Sequence, residues 1–336
     1  MAAKLGKLLA VLIGLLVAAG VYLYFLAPQT AYDLGVAAER SLAGVEAKRT
    51  TVNGLDIAYL EGGEGETLVL LHGFGANKDN WTRMAAELVD DYRVIAPDLP
   101  GFGESDRPEE AEYGFAAQAE RVHAIVEALG IERFHLAGNS MGGAVAGAYA
   151  AAHPERLRSL WLLAPAGVAD AEPSDLARRI EAGGGNPLVP QTADQYYTLL
   201  DWVFADKPYI PAPMQYVMAQ RAVARHDHYQ RIFDQINAER SGDFALEKIV
   251  AETDVPVLVV WGEEDRLLHV SGARALAEAA PDRVRVERMP GVGHLPMVER
   301  PAESAEAFRA FAAGLEQPPA ADEAETADGE AAEPAG

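Results

Sequence analysis

The chain has 336 residues, 49% of them apolar, enough to bury a sizeable core in one large domain or two small ones. Its net charge of −23 argues against a nucleic-acid partner and against recruitment to anionic lipid by charge alone. It has no cysteine, which excludes disulfides, thiolate metal sites, a cysteine nucleophile and lipidation of an N-terminal cysteine.

Leu8 to Ala27 is an unbroken stretch without charge. Its 20 residues, at about 1.5 Å each along a helix, reach the roughly 30 Å of a hydrocarbon core. Lys4 and Lys7 precede it and Asp33 and Glu39 follow, so the N-terminus is expected in the cytoplasm and the rest outside. A cleaved signal peptide, with Val17-Ala18-Ala19 as the site, is the competing reading. The uncleaved anchor is preferred because apolar residues continue through Phe25 and Leu26. Residues 28–45 read as a juxtamembrane linker, with a helix there left open.

Strands then begin. Lys48 to Val52 and Leu55 to Leu60 flank Asn53-Gly54, a two-residue hairpin signal. Leu68 to Leu71 is an apolar run suited to a strand buried on both faces, and it ends in His72-Gly73-Phe74-Gly75. Asn80 to Val89 has helical spacing, Arg93 to Pro97 is a short strand, and Asp98 to Ser105 is a tight loop. A helix carries Val122, Ile125, Val126 and Leu129 and stops at Gly130. A strand through Phe134 and Leu136 enters Gly138-Asn139-Ser140-Met141-Gly142, and a helix of small residues follows. Leu160 to Leu163 is again a strand, so strands alternate with helices, as in a mostly parallel α/β sheet.

That rhythm breaks between Ala166 and Leu246, where two amphipathic helical faces carry Tyr196, Leu199, Leu200, Val203 and Tyr229, Ile232, Phe233, Ile236. The segment reads as a helical lid inserted into the α/β core, with Trp202, Phe204, Tyr209 and Met214 as candidates for an adaptable apolar pocket wall. The sheet resumes at Val257 to Trp261 and runs into Gly262-Glu263-Glu264-Asp265. A helix from Ser271, a strand from Val284, the loop Gly291-Val292-Gly293-His294 and a helix opened by Pro301 complete it. From residue 316 onward there are seven acids and no bases or aromatics, the composition of a disordered tail.

Three loops that follow strand ends thus carry Ser140, Asp265 and His294 in that order. G-x-S-x-G between a strand and a helix is a nucleophile elbow, with Gly138 and Gly142 small because strand and helix nearly touch there. A serine hydroxyl needs a base in reach, and His294 can take its proton while Asp265 orients the imidazole. Glu263 and Glu264 are the rival acids. His135 reads as structural, His123 and His153 lie on helices, and His226 and His228 lack a third ligand for a metal. The amides of Met141 and Phe74, the latter in the Gly73 loop, are the expected oxyanion donors.

LHGFGANKDNW, DLPGFGES, GNSMGG, WGEED and GVGHLPMVERP, in that order over about residues 50–315, make the chain resemble the α/β-hydrolase superfamily. Within it, the HGFGANKDNW and AGNSMGG stretches and the N-terminal anchor are most similar to membrane-bound monoacylglycerol lipases and related bacterial lipases. The resemblance implies an α/β-hydrolase fold, cleavage of monoacylglycerols or similar lipid esters, and no cofactor, metal or obligate protein partner. GNSMGG also resembles carbon–carbon bond hydrolases of aromatic ring-fission products, the alternative activity; a non-catalytic binding protein is the third. The expected organisation is a cytoplasmic end (1–7), a transmembrane anchor (8–27), a linker (28–45), a core (46–165 and 246–315), a lid (166–245) and a disordered acidic tail (316–336).

Overall fold

The computed structural model describes residues 2–240 and 244–315, and the tail expected to be disordered lies outside them. Two helices lead into the sheet, α1 (Ala2–Leu26) and α2 (Pro28–Leu42). Lys4–Leu26 is long and apolar enough to cross a bilayer, and none of that window is buried against the protein. The next elements are β1 (Val45–Val52), β2 (Leu55–Gly62), β3 (Glu66–Leu71), α3 (Thr82–Leu88), β4 (Tyr92–Pro97), α4 (Phe115–Ala128), β5 (Phe134–Asn139), α5 (Met141–Ala152) and β6 (Leu157–Leu163). Four helices follow, α6 (Asp175–Glu181), α7 (Ala193–Val203), α8 (Ala212–Ala224) and α9 (His226–Arg240). The chain then returns through α10 (Leu246–Glu252), β7 (Val257–Gly262), α11 (Ser271–Ala279), β8 (Val284–Met289), α12 (Pro296–Glu299) and α13 (Pro301–Leu315).

The eight strands form one sheet in the order β1-β2-β4-β3-β5-β6-β7-β8. β1–β2 and β2–β4 are antiparallel, and every later pairing is parallel. Asn53 and Gly54 both take positive φ between Val52 and Leu55, as a tight two-residue hairpin demands. The central strands split their side chains by the period of two. Val69, Leu71, Leu136, Leu160, Leu162 and Val259 face the layer of α4, α5, α10 and α11. Leu68, Leu70, Ala137, Trp161, Leu163 and Val260 face α3 and α13. Burial on both faces is why these strands read as continuous apolar runs.

α5 is the tightest packed of the helices, with Met141 to Ala150 all buried. A Cβ on Gly138 would land on the carbonyl oxygen of Gly142, and one on Gly142 would land on that of Leu71. β3, β5 and α5 therefore approach at backbone distance, which places the loops after β3 and β5 side by side.

The stretch read as a linker with helical character is the packed helix α2. Pro28 opens it, Tyr32 and Val36 are buried, and they cluster with Val217, Met214 and Met218 of α8. Arg40 near its end clamps Asp79 through two hydrogen bonds of 2.6 and 2.8 Å. Only a narrow stripe of it is apolar, so its packing against α8 did not show in composition.

Beside Asp79 lies a fully buried ion pair. Lys78 Nζ is 2.8 Å from Asp98 Oδ2, and the other carboxylate oxygen of Asp98 accepts the Lys78 amide at 2.7 Å. Burial draws the Lys78 pKa down, but the carboxylates of Asp98 and Asp79 outweigh it and hold the ammonium above its usual value. Replacing Lys78 with Met should strand the Asp98 charge and cost about 3–5 kcal/mol of stability. The check is a lowered denaturant midpoint with an unchanged slope.

Candidate active site

The elbow serine sits where β5 breaks into α5. Ser140 has φ +54 and ψ −118, a strained region for a residue with a side chain, and the amides of Gly143 and Ala144 bond to its carbonyl. Met141 is the first residue of α5, where helix amides have no partner within the helix.

The loop after β7 carries the acid. Asp265 is buried, and its Oδ1 accepts the amides of Leu267 (2.8 Å) and Leu268 (3.0 Å). Its Oδ2 is left to receive His294 Nδ1 at 2.8 Å. Those two amides aim the carboxylate and make it the residue facing the histidine. The rival acids face solvent, with Glu263 paired to Arg288 at 2.9 Å. Among the other histidines, His135 lies between Ser159 and Glu66, His123 stacks on His153, and His228 bonds the Gly101 carbonyl.

Buried polar groups position this histidine and the Gly73–Phe74 loop, and the sequence alone did not assign Asn139, Glu299 or His72 that work. Asn139 Nδ2 donates to the carbonyls of Leu163 (3.0 Å) and His294 (3.1 Å). The residue whose type suggested carbon–carbon bond hydrolases thus ties the elbow to the His294 loop. Glu299 in α12 accepts the Gly293 amide on one oxygen and the amides of Ala205 and Asp206 on the other. Burial pushes its carboxyl pKa up although these amides pull it down. Its signal in sequence was a lone acid in the apolar LPMVER run. His72 receives the Leu99 amide on Nε2 (3.0 Å), so its Nδ1–H donates to the Gly73 carbonyl (2.8 Å) and pins the loop that carries Phe74.

A cavity of about 270 Å³ lies between these residues and helices α6 to α9. Ser140, His294, Met141, Gly73 and Phe74 all line it. Phe74 packs its ring at 5.7 Å from those of Tyr229 and Phe233 on α9. Of the four residues expected for the pocket wall, Phe204 lines the cavity; among the described residues that do so, Trp202, Tyr209 and Met214 are absent. Trp202 is covered by the Arg266 guanidinium at 4.2 Å, Tyr209 is 82% exposed, and Met214 lies against α2. A helical stripe in sequence does not say which neighbour it will meet, and here α2 took part of it. Leu200, Met218 and Ile236 supply apolar wall instead.

Residues 66–301 match the model of the α/β-hydrolase fold family. Lipase 1 of Psychrobacter immobilis is 38% identical over 284 residues, which covers 83% of this chain and 87% of that protein. Monoacylglycerol lipase ABHD6 of Homo sapiens is 30% identical over 261 residues, covering 75% and 77%. The crystal structure of a membrane phospholipase A described as a bacterial virulence factor superposes with a TM-score of 0.83 at 43% identity, covering 92% of this chain and 99% of that one.

Two measurements test the positioning groups. Asn139→Ala removes the donor to two buried carbonyls and should cost about 1–3 kcal/mol in denaturant unfolding. For His72, burial depresses the pKa from its usual 6.5, more than the Asp98 charge and the Gly73 carbonyl raise it. The unfolded chain takes up that proton below 6.5 and the folded chain does not. The stability is therefore present above that pH and lost as the pH falls toward the folded pKa. The melting temperature of the wild type should fall more steeply as the pH drops below about 6.5 than that of His72→Gln.

Proposed function

Because this chain belongs to the α/β-hydrolase fold family, as a carboxylic ester hydrolase related to lipases, we propose that Ser140, His294 and Asp265 form its catalytic triad. The observation that carries the reading is the buried 2.8 Å bond from His294 to Asp265, in the wall of the cavity that Ser140 also lines. Ser140 Oγ attacks the acyl carbonyl as His294 Nε2 takes its proton, and Asp265 stabilises the imidazolium. The Phe74 and Met141 amides hold the oxyanion, and removing one such donor costs about 3–4 kcal/mol elsewhere. Collapse expels the alcohol, which takes the proton from His294; water then cleaves the acyl-enzyme by the same steps in reverse roles. No metal or cofactor takes part.

The substrates proposed are monoacylglycerols or similar lipid esters, with the acyl chain against Leu200, Phe204 and Met218. The domain assignment follows from the expected organisation: anchor (8–27), core (46–165 and 246–315) and lid (166–245), with α2 joining anchor to core. Lys4 and Lys7 put the N-terminus in the cytoplasm and the catalytic domain outside. Held at the membrane, the site meets lipid esters at a raised effective concentration.

Fluorophosphonate should label the wild type and not Ser140→Ala; equal labelling of both would sink the assignment. Asp265→Asn should lose about three to four orders of magnitude in kcat with little change in melting temperature. Carbonate extraction should leave the full-length protein with the membranes, and release into the soluble fraction would refute the anchor.

A further inference from the structure

Phe74 stands between two glycines, in a loop with little backbone support. Gly75 takes a φ of +69, and the turn is closed by one long bond, from the Ala76 amide to the Gly73 carbonyl at 3.3 Å. His72 fixes Gly73 on one side, and the bonds of Asn77 and Lys78 fix the chain on the other. Phe74 itself has neither: among the described residues, no hydrogen bond holds its amide or its carbonyl. A free amide is what an oxyanion donor requires, but it leaves the direction of that N–H to the side chain.

The ring of Phe74 meets three others, and two of them belong to α9. Its centroid lies 5.7 Å from those of Tyr229 and Phe233 and 5.9 Å from that of Phe102, edge to face with Phe233 and Phe102. Tyr229 is 3% exposed and stacks on Phe102 at 5.6 Å and 25°. It therefore meets Phe74 directly and also backs the ring that Phe74 abuts. Ring quadrupoles favour edge-to-face and offset pairs, so each ring restricts the orientation of the next. Tyr229 is in turn held because α9 is tied to the chain between residues 101 and 115. His228 Nε2 donates to the Gly101 carbonyl at 2.9 Å. Arg225, just before α9, donates to the Gly103 carbonyl at 3.1 Å and to the Tyr229 hydroxyl at 3.3 Å. Farther along, Gln235 accepts the Tyr113 amide and Glu239 the Phe115 amide, each at 2.6 Å.

We propose that Tyr229 is a positioning residue for the oxyanion site: its ring sets where the Phe74 amide points, and the site is complete only while α9 is seated. The rival assignment is that Tyr229 and Phe233 only wall the cavity, which both of them line together with Phe74. The two differ in what they act on. A wall holds the acyl chain equally before and during reaction, and its loss raises KM. A positioned amide meets the charge that develops on the carbonyl oxygen, and its loss lowers kcat. The proposal rests on the ester-hydrolase reading with the Phe74 amide as a donor, and it adds a residue that acts through that donor.

The test uses the full chain in nonionic detergent micelles and p-nitrophenyl acetate, whose acetyl group has no chain to rest on a wall. Tyr229→Leu should lower kcat about thirtyfold with KM changed less than about twofold, and Tyr229→Phe, which keeps the ring, should restore most of the rate. Phe233→Leu removes the other α9 contact from a half-buried position and should lower kcat about tenfold. An unchanged kcat in both Leu variants, or a Tyr229→Phe variant as slow as Tyr229→Leu, overturns the proposal. 1,1,1-Trifluoroacetone adds a second arm. Ser140 Oγ bonds to its carbonyl carbon, the serine proton passes to His294, and the carbonyl oxygen becomes an alkoxide at the oxyanion site. Its inhibition constant should weaken in Tyr229→Leu by about the factor lost in kcat, and an unchanged constant overturns the proposal. A third arm needs no turnover. With phenylalanine nitrogen-15 labelled, the Phe74 amide is assigned by its loss in Phe74→Leu. Its order parameter should fall from about 0.85 to below about 0.6 in Tyr229→Leu and hold in Tyr229→Phe. A value unchanged in Tyr229→Leu counts against the proposal whatever the catalytic result. A wild type inert toward both acetate ester and ketone would overturn the ester-hydrolase reading, while the order parameter still decides whether α9 holds the loop.

Discussion

The backbone contact among the end of β3, the end of β5 and the start of α5 sets the rest of the molecule. Gly138 and Gly142 allow it, since any side chain there would occupy a carbonyl oxygen of the facing segment. It has three consequences at once. Ser140 is forced to positive φ at the top of the sheet. The Gly73–Phe74 loop comes to lie beside the Met141 end of α5. The first turn of α5, with its unpaired amides, faces the cavity. The strain at Ser140 is affordable because α5 is buried along ten of its twelve residues, so the packing overdetermines the turn.

Around that contact, four buried polar side chains hold the loops that the sheet alone cannot. Asp98 collects the Lys78 ammonium and two amides, His72 bridges Leu99 to Gly73, Asn139 bridges the elbow to His294, and Glu299 bridges Gly293 to the chain after α7. Each one costs desolvation and is repaid only while every partner is present. Apolar contacts could fill the same space, but they are not directional. Hydrogen bonds fix where a carbonyl or an imidazole points, and that is what the site requires.

Legibility in the sequence followed the same division. Elements with a strong period were visible, down to the Asn53-Gly54 hairpin and the start of the helix at Ser271. The residues that the sheet brings together, Ser140, Asp265 and His294, were visible because strand-end loops are punctuated by glycine. α2 was read as a linker with a helix left open, its packing unseen because it is mostly polar, and α12 was not separated from the helix at Pro301 because it is a single turn. Trp202, Tyr209 and Met214 were placed by residue type, and type does not distinguish a wall of the cavity from the seat of α2. Asn139 was weighed as a family marker, but its work is geometric and depends on a carbonyl 155 residues away in the chain.

The placement of charge ties these parts to one another. At −23 the chain as a whole repels anions, so attraction must be local to act on one. The bases with acidic partners serve the scaffold: Arg40 seats α2 on Asp79, and Lys78 seats the chain after the Gly73–Phe74 loop on Asp98. Arg225, whose guanidinium bonds the Gly103 carbonyl, lines the cavity that Tyr32 of α2 also lines. α2 thus meets three things at once: the chain that leaves α1, the lid through Val217 and Met218, and the loop of Phe74 through Asp79. A shift of α2 would be felt by the pocket wall and by the oxyanion loop together. The segment between α1 and the sheet is therefore part of the site's architecture rather than a tether.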